Sequence, residues 1–200
     1  HYQVPLQVLA EDGKLIAEFG EKHRIPVEIK DIPKQIIQAV IASEDENFYS
    51  HIGVDPKGLI RAAVKYAITG KKKQGGSTIT MQVARNFFLT RKKTISRKIK
   101  EIFLSIKIEQ KLSKETILQL YLNKIFLGHR AYGIGSAAQV YYGKPLKQLN
   151  LAQLAMLAGL PKAPSAYNPV TNAKRAIIRR NYVLERMLKL EFITNTEFIK

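Results

Sequence analysis

The stretch DIPKQIIQAVIASEDENFYSH, residues 31–51, decides how the rest of the chain is read. At the helical period Ile37, Ile41, Glu44 and Phe48 fall on one stripe, because their spacings are four, three and four. Asp31 is the expected cap, and Pro33 falls in the first turn. Glu44 therefore continues an apolar row, whereas Asp45 and Glu46 point elsewhere. A carboxylate on an apolar wall loses hydration, so its pKa is expected to rise into the range useful for acid or base work. The plainer alternative, open at this point, is a helix-end cluster of acids that balances nearby lysines.

Working outward, LQVLAEDGKLIAEFG reads as two short strands around an Asp12–Gly13 turn. Beyond residue 51 the periods are helical. DPKGLIRAAVKYAITG has few charges and an unusually apolar surface for a short helix, and GKKKQGGST reads as a mobile loop. TITMQVARNFFLT is helical again, and RKK at 91–93 is a basic joint. In TISRKIKEIFLSIKIEQKL, Ile95, Ile99, Ile102 and Ile106 form an amphipathic stripe. Ser113 caps KETILQLYLNKIF, with Glu115 in the first turn favouring the helix dipole. A glycine-punctuated stretch with a short helix follows. Asn150 then opens LAQLAMLAG, which Gly159 and Pro161 close. NAKRAIIRRNYVLERMLKL is the last long helix, and EFITNTEFIK reads as a continuing one. The expected fold is mainly α, one domain with a small N-terminal β-hairpin.

Composition bounds the chemistry. Lys and Arg number 33 against 16 Asp and Glu, a formal charge of +17 that suggests a polyanionic partner: nucleic acid, an anionic membrane surface or a phosphorylated substrate. Cysteine is absent, which removes disulfides, thiolate metal sites and a cysteine nucleophile. The apolar runs are far shorter than the ~18–20 residues that cross a bilayer. The chain begins in HYQVPLQVLA without a methionine or a signal-peptide pattern, and an upstream anchor is expected.

Two further constellations carry charge or hydrogen-bonding groups. In GGSTITMQVARN the glycines free the backbone, Ser77 or Thr78 can cap the next helix, and the N–H groups there offer an anion site. Gln82, Arg85 and Asn86 share one face. No GxxxxGK[ST] loop and no HExxH spacing occurs. In SRKIKE, Arg97, Lys98 and Glu101 meet on the polar side of the helix, as a surface ion pair worth roughly 0.3–0.5 kcal/mol or as a cationic clamp oriented by its carboxylate.

Taken in order, EDENFYSHIGVD, GGSTITMQVARN, RKIKE, KETILQLYLNKIFLG and LAGLPKAPSAYNP fit EDxxFxxHxGxD, GxSTxxxQ, RKxxE, KxxILxxYLNxxxxG and a further block. This succession resembles the peptidoglycan glycosyltransferases, the transglycosylase domains of class A penicillin-binding proteins, from about residue 6 to the end. Met81, Gln119, Gln153 and Gly135 depart from that pattern, and Arg85 replaces a frequent lysine.

The resemblance implies a lysozyme-like two-lobed helical fold over residues 1–200, with an N-terminal hairpin segment at 1–30 and a membrane-facing lobe and mobile loop at about 55–95. It implies inverting polymerisation of lipid II, the acceptor sugar hydroxyl attacking the donor anomeric carbon while undecaprenyl pyrophosphate leaves. Glu44 matches the base. Arg97 and Lys98 match the groups that stabilise the pyrophosphate. Glu101 matches the second functional carboxylate, with two roles open: holding a divalent cation, magnesium for choice, or orienting the basic side chains. Ser77, Thr78, Gln82, Arg85 and Asn86 match donor-binding positions, while Asp45, Phe48 and His51 support Glu44.

The implied partners are lipid II, the growing glycan chain and the membrane surface, with a transpeptidase domain C-terminal to this region. The implied location is the outer face of the bacterial cytoplasmic membrane. Two other classes compete. A lysozyme-like lytic hydrolase needs a protonated acid for a sugar leaving group, to which the RK…E cluster is poorly suited. A nucleic-acid module is motivated by charge alone, without a recognised motif or an aromatic stacking platform, so no nucleic-acid partner is expected.

Overall fold

Helices form where the apolar period and the caps coincide. A computed structural model describes residues 6–9, 15–19, 23–70, 76–89 and 94–199. The chain runs β1 (Leu6–Leu9), β2 (Leu15–Phe19), β3 (His23–Arg24), α1 (Lys34–Glu44), α2 (Pro56–Thr69), α3 (Ile79–Phe88), α4 (Ile95–Lys111) and α5 (Lys114–Lys124). It continues through β4 (Ala131–Tyr132), α6 (Ile134–Tyr142), α7 (Leu151–Gly159), α8 (Ala173–Lys189) and α9 (Asn195–Ile199). The mainly helical class with a small hairpin is as expected. β1 pairs antiparallel with β2, Leu6 facing Phe19. The Asp12–Gly13 turn, residues 71–75 of the basic loop and the 91–93 joint lie outside the described residues.

Several caps follow directly from residue type. Thr78, Ser113 and Asn150 accept the N–H of Met81, Thr116 and Gln153, and Gln153 completes a reciprocal capping box with Asn150. The start of α1 differs from expectation. Asp31 ends a short 3₁₀ turn, pairs with Lys147 at 2.7 Å and caps nothing, while Pro33 itself stands at the N-cap. The 3₁₀ turn takes up the residues that would have made the cap. The end of the chain differs too. Glu191 adopts φ 56 just after α8, and Thr194 and Glu197 cap a separate α9, so no single helix continues.

The core gathers α1, α5, α6 and α7 around fully buried Ile36, Val40, Tyr121, Leu122, Ile134 and Leu157, with α8 closing one side through Val183 and Met187. Burying such side chains contributes about 1.5–3 kcal/mol each and drives the assembly. Among the described residues none of α2 joins this core. Ile60, Val64 and Ile68, spaced by four, face outward. On α4 the expected apolar stripe divides: Ile95 is 82% exposed and Ile99 faces outward with Phe103, while Ile102 and Ile106 are half-buried. The inward face of α4 carries Glu101, Ser105 and Ile108 instead.

The segment before α1 is tied down by side chains acting as strand partners. Asn123 accepts the Val27 N–H and donates to the Val27 carbonyl, both at 2.8 Å, while Gln119 accepts from Ile29 at 2.8 Å and Ser136 from Ile25 at 2.7 Å. Two departures from the family pattern thus have structural posts: Gln119 here, and Gln153 in its capping box. Gly135 has another, because a Cβ there would meet the Ile25 carbonyl oxygen at 2.4 Å. Met81 is fully buried. Asn123→Ala should cost about 2–3 kcal/mol by stranding both Val27 groups. Chemical denaturation measures that loss, and amide exchange should localise the released protection to residues 25–30.

Candidate active site

Helix α1 ends at Glu44, and arginines from α8 meet the carbonyls left free there and at the end of α7. Arg186 Nε donates to the Ala42 carbonyl at 3.2 Å, and Arg179 Nε to that of Gly159 at 3.3 Å. Cations at helix C-termini are favoured by the dipole. The same guanidiniums reach carboxylates on the cleft wall. Arg179 Nη2 stands 3.3 Å from Glu44 Oε1, Gln82 Nε2 donates to Glu44 Oε2 at 3.2 Å, and the Glu44 side chain is 10% exposed. Loss of water raises the Glu44 pKa, although Arg179 and the Gln82 bond pull the other way. The direction is the one expected from the apolar row. Its geometry differs in part: α1 stops at Glu44, so Phe48 is buried from the following turns rather than from one continuous helical stripe.

The remaining residues of the first motif build the scaffold behind Glu44. His51 Nδ1 accepts the Gly53 N–H at 3.0 Å, which assigns the Nε2 proton to the bond with Asp45 at 2.9 Å. The other debt of Asp45 is to α3: its Oδ2 accepts the Ile79 N–H at 2.8 Å. The helix N-terminus expected to hold an anion therefore already holds this carboxylate. Thr78 adds a bond to the Gly53 carbonyl at 2.6 Å. Gly53 is required, since at φ +96 a Cβ would lie 2.6 Å from the Ser105 carbonyl oxygen of α4. Asp55 accepts from Gly58 and Asn47 at the start of α2. The side-chain bonds of Asp45 and His51 run to each other, Ile79 and Gly53 rather than to Glu44; they place α3, and α3 presents Gln82 to it.

Glu101 is not at a surface. It is 0% exposed and pairs with Arg97 at 2.8 Å and Lys98 at 3.2 Å, with Arg85 at 3.8 Å. Of the two readings open from sequence, the surface ion pair falls away: α4 turns this face toward α3, and three cations compensate the buried charge. Lys98 also donates to Ser77 at 2.7 Å. Burial lowers the Lys98 pKa, against the opposing pull of Glu101. Arg97 Nε is buried without a partner. Among the described residues no group of three or more His, Asp or Glu side chains is arranged for a metal. Glu101, with both oxygens taken by cations, fits a divalent ion poorly.

A cleft of about 670 Å³ joins these groups. Glu44, Ser77, Thr78, Gln82 and Arg85 line it, and so does Asp45. Arg97, Lys98 and Glu101 adjoin it through Arg85 and Ser77. Asn86 is exposed on α3 and His51 buried behind the wall; neither lines the cleft. The opposite wall comes from α8, with Arg179, Tyr182, Arg186 and Lys189, together with Lys162 and Tyr167. Arg179 lies over the Tyr182 ring at 4.6 Å. Glu46 bridges Arg61 of α2 and Arg186 of α8; partial burial works to raise its pKa, but the two arginine bonds outweigh that and hold it low. From sequence alone this region is only the last long helix. The spacing of 179, 182, 186 and 189, three, four and three apart, is the signal that places them on one face.

Desolvated carboxylate, buried cationic cluster and basic far wall are borne on a chain that matches the family described as Transglycosylase over residues 12–188, and the chain belongs to that family. Among its relatives, penicillin-binding protein 1A of Pseudomonas aeruginosa is 58% identical over 196 residues, covering 98% of this chain and 24% of that protein. Penicillin-binding protein 1A of Escherichia coli is 56% identical, covering 98% of this chain and 23% of that protein. The crystal structure of penicillin-binding protein 1A from Haemophilus influenzae aligns with all of this chain and 20% of its own, with a TM-score of 0.56 and 33% identity. The chain spans about a quarter of the length of the curated relatives it matches.

Proposed function

We propose that this domain lengthens peptidoglycan glycan strands from lipid II. Glu44 takes the proton of the acceptor sugar hydroxyl as its oxygen bonds to the donor anomeric carbon. The bond from that carbon to the pyrophosphate breaks, and the leaving group departs with the electron pair on the opposite face, giving inversion. The observation that carries this reading is Glu44, a desolvated carboxylate on a cleft with cationic side chains on both sides. Donor and acceptor each bear a pyrophosphate, so two anion sites are required. Arg85, Arg97 and Lys98 serve the leaving group, held in place by Glu101, while Arg179, Arg186 and Lys162 serve the second. The poor fit of a divalent ion at Glu101 favours its orienting role, and no step is routed through a metal.

Among the described residues lining the cleft, the hydrolytic alternative finds no second free carboxylate, since Asp55 accepts from Asn47 and Gly58. Asp45 is committed to His51 and Ile79, and Glu46 to two arginines. Labelled lipid II decides between the two: glycan polymer and polyprenyl pyrophosphate support the transferase, whereas soluble fragments without polymer reject it.

The exposed apolar residues Ile60, Val64 and Ile68 of α2 and Ile95, Ile99 and Phe103 of α4 support seating of this part against the membrane, where the lipid substrate resides. Among the described residues no helix is long and apolar enough to cross a membrane. The full protein, on this reading, is anchored by an upstream segment at the outer face of the cytoplasmic membrane and carries a transpeptidase domain downstream.

The rate should follow a bell-shaped pH profile. Glu44 must be ionised to accept a proton, so its raised pKa places the acid limb above the ordinary 4.5. Lys98 must stay charged, so its lowered pKa places the alkaline limb below the ordinary 10.5. Initial rates of polymerisation across pH measure both limbs.

A further inference from the structure

Glu46, just past the end of α1, bridges two arginines carried by different helices. Its Oε1 accepts from Arg61 Nη1 of α2 at 3.0 Å, and its Oε2 accepts from Arg186 Nη2 of α8. All three side chains line the cleft. The arrangement resembles the Glu101 cluster in charge but not in burial. Glu101 is 0% exposed and fixed among its cations, whereas the side chains of Glu46, Arg61 and Arg186 are 26%, 52% and 21% exposed. Ion pairs this open to water are weak ties. Arg186 is the anchored member, because its Nε also donates to the Ala42 carbonyl at 3.2 Å.

We propose that Glu46 is an internal competitor in the anion site of the α8 wall: its carboxylate holds Arg61 and Arg186 until the pyrophosphate of an incoming substrate displaces it. Glu46 thereby sets how tightly the cleft takes anions. This inference rests on the α8 wall being a pyrophosphate site. Pyrophosphate carries more charge than a carboxylate and accepts bidentate bonds from arginine. Arg186 stays in the wall through Ala42, so the carboxylate is the partner that moves. After exchange both guanidiniums face the substrate and Glu46 turns to water. There it is an ordinary ionised carboxylate at neutral pH, not the protonated acid that glycan hydrolysis needs. The competition acts on binding and not on the breaking bond, so KM carries it rather than kcat. A mere brace between α2 and α8 has the opposite sign, because its loss would scatter the arginines and weaken binding.

The test titrates wild type, E46Q and E46D with inorganic pyrophosphate by calorimetry, and measures KM and kcat with lipid II. The amide of E46Q is a neutral and weaker acceptor for arginine. Pyrophosphate should therefore bind E46Q about fivefold more tightly than wild type. KM for lipid II should fall by a similar factor, with kcat moving less. E46D keeps the charge but is one methylene too short to span both arginines, so its affinity should lie between those of the other two. E46D equal to wild type would assign the effect to charge alone and overturn the exchange. Unchanged or weaker binding by E46Q, an unmoved KM, or no measurable pyrophosphate binding by any of the three would overturn it as well. If E46Q fails to fold, E46D decides alone: tighter binding than wild type supports the proposal, and equal or weaker binding rejects it. Wild-type protein that forms no polymer would instead remove the transferase reading, a separate failure, and the calorimetry would still decide the role of Glu46.

Discussion

Glu44→Gln is expected to lower the rate of lipid II polymerisation at least ~100-fold, the effect of removing a general base. The amide keeps the volume of the carboxylate and its bond to Gln82, but it cannot take the acceptor proton. Folding should survive. Burial raises the Glu44 pKa in the folded state, so the stability linked to this group is present at low pH and lost as pH rises through the folded value. At neutral pH the ionised side chain is therefore a cost, and its removal partly offsets the loss of the Arg179 pair. Thermal unfolding at or near the wild-type midpoint, with polymer formation nearly abolished, is the expected pairing. A variant that polymerises at close to the wild-type rate would assign the base elsewhere.

Glu101→Gln should be nearly as damaging to activity and more damaging to the fold. Arg97, Lys98 and Arg85 converge on this one buried carboxylate. Without it the three cations repel one another, and the pyrophosphate meets an unordered cluster rather than a preset one. A fall of about 100-fold in polymerisation is expected from losing such electrostatic preorganisation. The stability loss should be roughly 2–3 kcal/mol, below that of a fully enclosed pair, because Lys98 and Arg85 can turn toward water. Denaturant unfolding and initial rates on one preparation measure both. Activity close to wild type despite the stability loss would confine Glu101 to a structural role.

Much of the architecture was legible from local chemistry. Ser113 and Asn150 mark helix starts by capping, which a few neighbouring residues determine, whereas Gly159 ends α7 at an ordinary helical φ of −76 and its bare Cα makes room for the Arg179 side chain. The start of α1 was misread because a 3₁₀ turn ahead of Pro33 claimed Asp31 for Lys147, more than a hundred residues away. The inward face of α4 departs from the ordinary apolar-in rule for a related reason. Apolar residues ordinarily face a core, but Ile95, Ile99 and Phe103 face out, and Glu101 is tolerated inside because arginines and a lysine surround it.

Position 44 illustrates the division. The order of residues along α1 already dictated that Glu44 would continue an apolar row and lose water, because helical spacing is a local property. The motif succession likewise identified Arg97, Lys98 and Glu101 as a unit. Only the tertiary structure brought Arg179 and Arg186 across from α8, committed Asp45 to His51 and the α3 N-terminus, and left the buried Tyr121 hydroxyl unpaired. Those relations depend on how helices far apart in sequence pack, and the period of one helix carries no information about which charges another will present to it.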